Sequence, residues 1–415
     1  MLRLTRLDLT QFRSYPALSW RPAAPIAAIF GPNGSGKTNL LEAVSLLVPG
    51  RGLRSARQAD LARQAEDAPG SWAVAARLTG ADGPIEIGTG SLPEGPADRR
   101  IFRLDGATPR SAAEVGARLG AVWLTPQMDR LFQEGASGRR RFLDRLVVAL
   151  ESGHAREIAA HDTAVAGRNR ILAQGRGASR ADAAWLAGVE EAIARHAVAA
   201  TAARAALVAR LNAAVAEGAA GGFPAPRLSL VCPIAERLAA GPALAAEDGL
   251  RAALATSRTH DAATGATAHG AHRADLGLAD AATGRPAALA SSGQQKALLL
   301  GTVLGHAALI AAARGAAPLL LLDEPLVHLD VGHREALFLA LHRFPAQVLL
   351  TGTDAEPFLP LAGRAEGLLA GAGRLRPDPR FPLPSAPADA ATYAVPASPE
   401  GRPDTRVGAG IPAAS

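Results

Sequence analysis

The octapeptide Gly31-Pro32-Asn33-Gly34-Ser35-Gly36-Lys37-Thr38 decides the fold of this chain, because it matches the phosphate-binding pattern G-x-x-x-x-G-K-[ST] at every specified position. An apolar run, Ile26–Phe30, precedes it, and a helical pattern follows from residue 37 to about residue 48. Glycines let backbone N–H groups curl around phosphates, and a helix N-terminus presents further N–H groups to the same oxygens. We therefore predict an ATP site in which Lys37 reaches the β- and γ-phosphates and Thr38 ligates Mg²⁺.

A second motif places two carboxylates at the end of another apolar strand, where Leu319–Leu322 is followed directly by Asp323 and Glu324. Strands of a P-loop sheet end beside the phosphates. We expect Asp323 to hold Mg²⁺, directly or through water, and Glu324 to orient or deprotonate the attacking water. An apolar run before acids is weak alone, but beside a complete P-loop it is informative.

The sequence Ser291-Ser292-Gly293-Gln294-Gln295-Lys296 opens a predicted helix about thirty residues before Asp323. It resembles the signature motif of ABC ATPases, in which a Ser-x-Gly-Gln element of one head caps the γ-phosphate held by the partner's P-loop. The resemblance assigns Ser291, Gly293 and Gln294 to the nucleotide.

Two further positions resemble ABC elements. Asp330, after Leu329, resembles the D-loop, and Gln127 is a candidate Q-loop glutamine that would sense Mg²⁺ and link the lobes. The expected switch histidine is missing, since Thr-Gly-Thr-Asp occupies residues 351–354. We therefore expect hydrolysis that is slow or depends mainly on Glu324, as in a weak, DNA-dependent ATPase that works as a switch.

Strand and helix patterns alternate at both ends of the chain and flank a helical middle. Short strands are predicted at 2–9, 26–30, 72–78, 85–87, 101–104 and 227–231, helices through 139–211, and strand–helix–strand–helix from residue 318 onward. The pattern predicts an α/β fold, a P-loop ABC-type ATPase head with an inserted, mainly helical second lobe. The predicted divisions are ATP-binding lobe I (1–125 and 271–370), helical lobe II (126–270) and a disordered tail (371–415).

The composition restricts the class of protein and its expected cellular location. Charged residues are 20% of the 415 residues and hydrophobic ones 48%, which is typical of a folded globular protein, and we find no membrane span or secretory signal. The single cysteine, Cys232, excludes an internal disulfide, so a cytoplasmic location is expected. Of the 44 basic residues only Lys37 and Lys296 are lysines, which suggests that a planar guanidinium cannot replace a compact ammonium there.

About 250 residues separate Thr38 from Ser291, too many for a transporter head and too few for an SMC coiled coil. The remaining relative is the RecF family, which the chain resembles over about residues 1–360. The segments that carry the resemblance are Phe12-Arg13-Ser14-Tyr15, Gly50-Arg51-Gly52-Leu53-Arg54-Ser55, Gly138-Arg139-Arg140-Arg141-Phe142-Leu143-Asp144, Arg168-Asn169-Arg170-Ile171-Leu172 and Gly270-Ala271-His272-Arg273-Ala274-Asp275-Leu276. The last departs from the family pattern, which has proline at Ala271 and aspartate at Ala274.

The resemblance implies a protein that forms an ATP-dependent homodimer and binds DNA while clamped. It implies binding to single-strand gaps, to junctions with duplex and to duplex DNA, with RecO and RecR as partners in loading the RecA recombinase. No membrane partner is implied.

Two arginine clusters are candidate DNA contacts, although each could equally be a solvated helix face. They are Arg51, Arg54 and Arg57, and Arg139, Arg140 and Arg141. Aromatic residues are only 4% of the chain, so salt-sensitive backbone contacts are expected rather than a base-stacking channel.

Two rival functions stay open at this point. A transporter ATPase subunit would need a membrane partner and a switch histidine, and an overcoming-lysogeny-type nuclease would need an acidic metal cluster in a separate C-terminal domain. Among other residues, we interpret His269 and His272 as loop residues rather than metal ligands, and Cys232 and Trp185 as core.

Overall fold

The computed structural model describes residues 2–65, 70–80, 83–92, 100–174, 180–345 and 347–382. Its strands are β1 (Arg3–Phe12), β2 (Tyr15–Trp20), β3 (Ile26–Phe30), β4 (Ala73–Gly80), β5 (Gly83–Gly90), β6 (Ile101–Leu104), β7 (Ala121–Leu124), β8 (Pro226–Val231), β9 (Asp275–Asp280), β10 (Leu319–Leu322), β11 (Val348–Gly352), β12 (Ala365–Gly371) and β13 (Arg374–Pro377). Its α-helices are α1 (Lys37–Ser45), α2 (Ala112–Arg118), α3 (Ala136–Leu150), α4 (His154–Ala173), α5 (Arg180–Ala214), α6 (Pro233–Ala240), α7 (Ala243–Thr256), α8 (Arg258–Thr264), α9 (Ser292–Arg314) and α10 (Val331–Arg343).

The central sheet has the order β13-β12-β3-β11-β10-β7, and its strands from β12 to β7 pair in parallel. These four-to-seven-residue strands are almost continuously apolar, as expected for a sheet covered on both faces. Their carboxyl ends lie along one edge, so the residues that follow β3, β7, β10 and β11 meet there. This edge carries every motif of the predicted nucleotide site except the signature.

An antiparallel sheet of order β2-β1-β4-β5-β6 packs into the same core. In β1, Leu7 and Leu9 are buried while the alternate positions face outward, which is the period-two pattern read from the sequence. The strand β2 was not predicted, because Tyr15–Trp20 contains a proline and exposed alternate residues.

The predicted helical middle is confirmed by α3, α4 and α5. A second core between α4, α5 and α7 includes Cys232, which is 1% exposed, as predicted. The interpretation of Trp185 as core is wrong, since this side chain is 52% exposed while its neighbour Leu186 packs against α4. On a helix only one face can be buried, and apolar character alone does not say which residue lies on it. The lobe boundaries at residues 125 and 270 stay a prediction.

The end of the folded region differs from the prediction. A short 3-10 helix, Glu356–Leu361, stands where a full helix was expected, and two strands follow it. Residues 371–382 are therefore not part of a disordered tail, because β13 pairs with β12 and Phe381 is buried against Phe30. Residues 383–415 lie outside the described residues.

Two helical segments, Asp182–Ala219 and Ser292–Arg314, are long and apolar enough to cross a bilayer. Most of the second segment is buried between the central sheet and α5, and the first packs against α4, α7 and β8. The second segment is therefore a core helix, and the first is buried over less than half of its apolar window.

One carboxyl group is buried within the central sheet itself. Glu366, on β12 opposite Ala27 of β3, is 4% exposed. Burial penalises the charged carboxylate and raises the pKa of Glu366 from 4.5 to about 7. The folded chain therefore holds this proton more tightly than the unfolded chain does.

We expect the stability of the wild-type chain to fall relative to that of Glu366→Gln as the pH rises from about 4.5 to above 7. Protonated Glu366 contributes about 1–3 kcal/mol to the free energy of unfolding relative to the charged form. This contribution is complete below pH 4.5 and is lost as the pH rises through the folded pKa of about 7. Urea unfolding of both proteins at pH 5 and pH 8 measures this difference. An equal stability difference at the two pH values would contradict it.

Candidate nucleotide site

The loop after β3 has the geometry of a phosphate cradle. Gly31, Gly34 and Gly36 have φ values of 146°, 82° and 100°, which side chains with a Cβ rarely adopt. A Cβ on Gly31 would also lie 2.6 Å from the carbonyl oxygen of Ala370 on the neighbouring strand. Sequence and packing thus both require glycine at this turn.

Lys37 begins α1 and is 4% exposed. Its Nζ donates to the carbonyl oxygens of Gly31 (2.6 Å) and Pro32 (2.9 Å), which holds the ammonium across the loop. Burial lowers the pKa of Lys37, while the carboxylates of Glu324 and Asp323 oppose that change. A compact cation held at this point suits a polyphosphate.

The loop also has an unused polar group. The Oγ of Ser35 is buried without a hydrogen-bond partner, and residues 32–34 are exposed. Buried hydroxyl groups normally find a partner. The hydroxyl without a partner, the glycines with positive φ and the helix N-terminus together fit the phosphates of a nucleotide.

The two acidic residues after β10 face this loop. Thr38 Oγ1 donates to Asp323 Oδ1 at 3.0 Å, and Asp323 is 3% exposed. Hydroxyl and carboxylate oxygens are the ligands that Mg²⁺ prefers, so this pair fits the predicted metal position. Glu324 is half-buried with φ 48°, a left-handed conformation that is uncommon outside glycine.

The strand β11 contributes a residue that the sequence analysis did not single out. Thr351 Oγ1 donates to Asp323 Oδ1 at 2.7 Å and accepts from the Glu324 N–H at 2.9 Å. This threonine lies in the segment 351–354, where an ABC ATPase is expected to have its switch histidine. Only its place beside β10 reveals the contact, since 28 residues separate it from Asp323.

The signature segment forms a capped helix start at the surface. The Ser291 side chain accepts from the Gln294 N–H, and the Gln294 side chain accepts from the Ser291 N–H, a reciprocal capping box. Both residues are exposed. Within the part of the chain that the structure describes, this segment makes no hydrogen bond to the P-loop.

The start of α9 packs closely on the segment that follows β10. A Cβ on Gly293 would lie 2.7 Å from the carbonyl oxygen of His328, so only glycine fits there. The predicted D-loop residue Asp330 caps α10 by accepting from the His333 N–H at 2.8 Å, and it is exposed. Its assignment to a partner's nucleotide stays a prediction.

The second lysine joins three motifs. Lys296 on α9 is 1% exposed, and its Nζ contacts Asp129 Oδ2 at 3.1 Å and the Glu324 carbonyl oxygen at 2.9 Å. Asp129 lies two residues beyond Gln127, which is exposed after β7. Both lysines of the chain are therefore buried, with two oxygen acceptors each, in keeping with the argument that an arginine would not fit.

A cavity of about 280 Å³ opens between these motifs, beside Glu324. Its lining residues are Pro126, Asp129, Arg130, Gln133, Ser292, Lys296, Glu324, Val327 and His328. A larger cavity of about 410 Å³, lined by Arg3, Thr5, Pro22 and Thr79, lies on the N-terminal sheet and includes none of the motif residues.

The N-terminal loop between β1 and β2 braces the P-loop. Tyr15 donates its hydroxyl hydrogen to the Gly36 carbonyl at 3.1 Å, and Asn39 donates to Ser14 at 2.9 Å. Arg13 makes a bidentate pair with the fully buried Glu42 of α1, with both distances 3.0 Å. This loop thus fixes the orientation of the helix that begins at Lys37.

The first arginine cluster lies beside the same helix. Arg51, Arg54 and Arg57 are exposed, and Arg54 donates to the Asn39 side chain at 2.9 Å. These positions are open to a phosphate backbone, and the assignment to DNA stays a prediction.

The second arginine cluster has mainly intramolecular partners. Arg139 pairs with Asp275 through two bonds of 2.7 and 2.8 Å, and Arg140 donates to the Ala274 carbonyl. The two segments that resembled family motifs, 138–144 and 270–276, therefore hold each other. Arg139 and Arg140 are half-buried and Arg141 is the exposed member of the cluster, and the assignment of all three to DNA stays a prediction.

His272 lies in a short 3-10 turn, Ala271–Arg273, between α8 and β9. Its ring Nε2 lies 3.0 Å from the Thr267 carbonyl oxygen, and no cluster of three metal-ligating side chains occurs in the part of the chain that the structure describes.

The comparisons with known proteins agree on one family. The profile of the RecF/RecN/SMC N terminal domain matches residues 3–360. The chain is 47% identical to the DNA replication and repair protein RecF of Mesorhizobium japonicum, over 90% of this chain and 97% of the relative. It is 44% identical to RecF of Agrobacterium fabrum, over 88% and 95% of the two chains.

A solved structure of the recombination mediator protein RecF, in a complex described as RecF-ATPrS of the RecFOR pathway, has the same fold. The TM-score is 0.77 at 20% identity, and the likeness covers 91% of this chain and 98% of the other. A second structure, described as RecF-ATP, has a TM-score of 0.72 at 20% identity over 91% and 99% of the chains.

We expect Lys296→Met to destabilise the chain by about 2–4 kcal/mol, because it leaves Asp129 and the Glu324 carbonyl without their buried cation. The double variant Lys296→Met/Asp129→Asn removes the unpaired charge and should recover part of this loss. Urea unfolding of the wild type and both variants is the measurement. Stability of Lys296→Met within about 0.5 kcal/mol of wild type would show that the pair contributes little.

Proposed function

This chain belongs to the RecF/RecN/SMC N terminal domain family and, within it, to the RecF proteins, and we propose that it is an ATP-controlled DNA-binding protein of recombinational repair and replication. The observation that carries the proposal is a divided nucleotide site. The P-loop, Asp323 and Glu324 form one half, while Ser291 and Gln294 of the signature are exposed and, within the described residues, make no hydrogen bond to the P-loop of their own chain.

Each residue of the first half has a role that follows from its geometry. The backbone N–H groups of residues 31–36 bind phosphate oxygens, and Lys37 places its ammonium beside them. Thr38 and Asp323 hold Mg²⁺, which neutralises charge on the phosphates when it is bound with ATP. Glu324 stands at the next position and orients the attacking water.

The second half comes from another copy of the chain. Ser291 and Gln294 bond to each other at the exposed start of α9, and the free N–H groups of that helix end suit a γ-phosphate. A dimer that joins head to head would bring the signature of each chain to the P-loop of its partner. ATP then favours the dimer, since it contacts both chains only in that state.

Hydrolysis is slow in this proposal. Glu324 provides the carboxylate, but threonines and an aspartate occupy the segment where a switch histidine would stand. A dimer that persists between hydrolysis events is suited to a clamp on DNA, and hydrolysis then releases it.

The DNA proposal rests on the family and on exposed arginines beside the nucleotide site. Arg51, Arg54 and Arg57 follow α1 directly and can contact phosphates, with Arg141 as a further candidate. By similarity to the RecF proteins, we propose binding at single-strand gaps and junctions with duplex, and cooperation with RecO and RecR in loading RecA. The few aromatic residues favour backbone contacts.

We expect ATP to convert the monomer into a dimer that binds gapped duplex, and Lys37→Met to abolish both effects by removing the cation at the phosphates. Sedimentation with labelled gapped DNA, without nucleotide and with ADP or ATP, measures the two properties together. Ser291→Arg is the matched variant, because it should still bind ATP as a monomer but fail to dimerise. ATP binding without a dimer or DNA affinity in the wild type would overturn the proposal.

We expect the double variant Arg51→Gln/Arg57→Gln to weaken DNA binding equally for all sequences and to reduce the salt slope of log K by about 2, or about 0.9 for each lost phosphate contact. The matched control is Arg195→Gln/Arg227→Gln, which removes the same charge at exposed positions on α5 and β8. The slopes come from DNA affinities measured between about 50 and 200 mM salt. If both double variants lowered DNA affinity and the salt slope equally, the binding would depend on net charge and not on contacts by Arg51 and Arg57.

A further inference from the structure

Thr351 occupies the central point of the nucleotide site without being part of any recognised motif. It lies on β11, between the P-loop strand β3 and the acidic strand β10, and it is fully buried. The register pairs Leu322 with Leu350, so Asp323 and Thr351 are the next residues along the same edge. The preceding residues of β11 are apolar, which leaves Thr351 as the polar end of a buried strand.

The hydroxyl of Thr351 acts both as a hydrogen-bond donor and as an acceptor. It donates to Asp323 Oδ1 at 2.7 Å and accepts from the Glu324 N–H at 2.9 Å. A threonine hydroxyl has one hydrogen to donate, so these contacts fix its rotation as well as its position. One side chain therefore touches both acidic residues after β10.

The first contact fixes the direction of the Asp323 carboxylate. Thr38 Oγ1 donates to the same oxygen at 3.0 Å, so Oδ1 lies between the hydroxyl groups of α1 and β11. Two donors from opposite elements leave the carboxylate little freedom to rotate. Its oxygens are thus directed before any metal arrives.

The second contact fixes the backbone of the catalytic carboxylate. Glu324 has φ 48°, and such a conformation persists only where its surroundings hold it. The Thr351 hydroxyl accepts its N–H on one side, and Lys296 contacts its carbonyl oxygen at 2.9 Å on the other. The peptide groups that flank Glu324 are thus both restrained by side chains.

We propose that Thr351 is a positioning residue for ATP hydrolysis, which orients Asp323 for the metal and Glu324 for the attacking water. The inference rests on the proposed function, because it assumes that ATP and Mg²⁺ bind at the P-loop. A packing role alone would need only the shape of the side chain, which valine reproduces, whereas the proposed role needs the hydroxyl.

The test compares Thr351→Val with Thr351→Ser, since valine keeps the volume and serine keeps the hydroxyl. Thr256→Val is the matched control, because Thr256 is exposed at the end of α7, far along the chain from the site motifs, and donates to the Ala252 carbonyl at 2.9 Å. Calorimetric titration gives the affinity for ATP with Mg²⁺ and with EDTA. Steady-state kinetics give kcat and KM for each protein.

We expect Thr351→Val to reduce the Mg²⁺-dependent gain in ATP affinity about ten-fold and kcat at least ten-fold, which is the scale of one lost hydrogen bond to a charged group. Affinity for ATP in EDTA should change little, and the melting temperature should fall by a few degrees, because valine leaves the Glu324 N–H without its acceptor. Thr351→Ser should restore both parameters to within about three-fold of wild type, and Thr256→Val should match wild type.

Three outcomes would overturn the inference. Thr351→Val could keep the Mg²⁺ effect and kcat, it could lose ATP affinity equally in EDTA, or Thr351→Ser could fail to restore the effect. If the valine variant does not fold, Thr351→Ala replaces it against the serine variant. A wild type that binds no ATP at all would refute the proposed function instead, so the two failures are distinguishable.

Discussion

The parallel pairing of β3, β11 and β10 is the constraint on which the rest of the site depends. It brings Gly31, Thr351 and Asp323 to one edge, although more than 290 residues separate the first from the last. A shift of one residue in either pairing would turn Thr351 or Asp323 to the opposite face of the sheet. The hydrogen bonds from Thr38 and Thr351 to Asp323 exist only in the observed register.

Buried charges secure the segments around this edge. Lys296 joins α9 to Asp129 and to the Glu324 carbonyl, and Arg168, which is fully buried, joins α4 to Glu190 and Asp261. Buried pairs of this kind are costly to desolvate and costly to break singly, so they favour one arrangement over others more than they add stability. Arg139 and Asp275 form a partly exposed bidentate pair that joins two family-like segments.

Sequence patterns predicted the central elements well, because each combined local chemistry with a clear period. The P-loop, the run Leu319–Leu322 and the capped start of α9 lie where they were expected. The predictions failed where a residue's environment depends on a distant partner. Trp185 is exposed although it is apolar, and β12 and β13 occupy part of a region that looked like helix and tail. The partners of Arg139 and Arg140 lie about 135 residues away, which no local pattern indicates, and the assignment of these arginines to DNA stays a prediction.

The sequence by itself determined the class of chemistry, since glycines at fixed spacing, Lys37 and two acids after an apolar strand are local features that suit phosphates. It also determined that the signature begins a helix, because the capping box needs only residues 291–294. The tertiary structure alone decided that Thr351 touches both acids, that Lys296 reaches Glu324, and that two of the arginines face inward. Those contacts depend on strand order and helix packing, which bring together residues whose separation along the chain carries no signal.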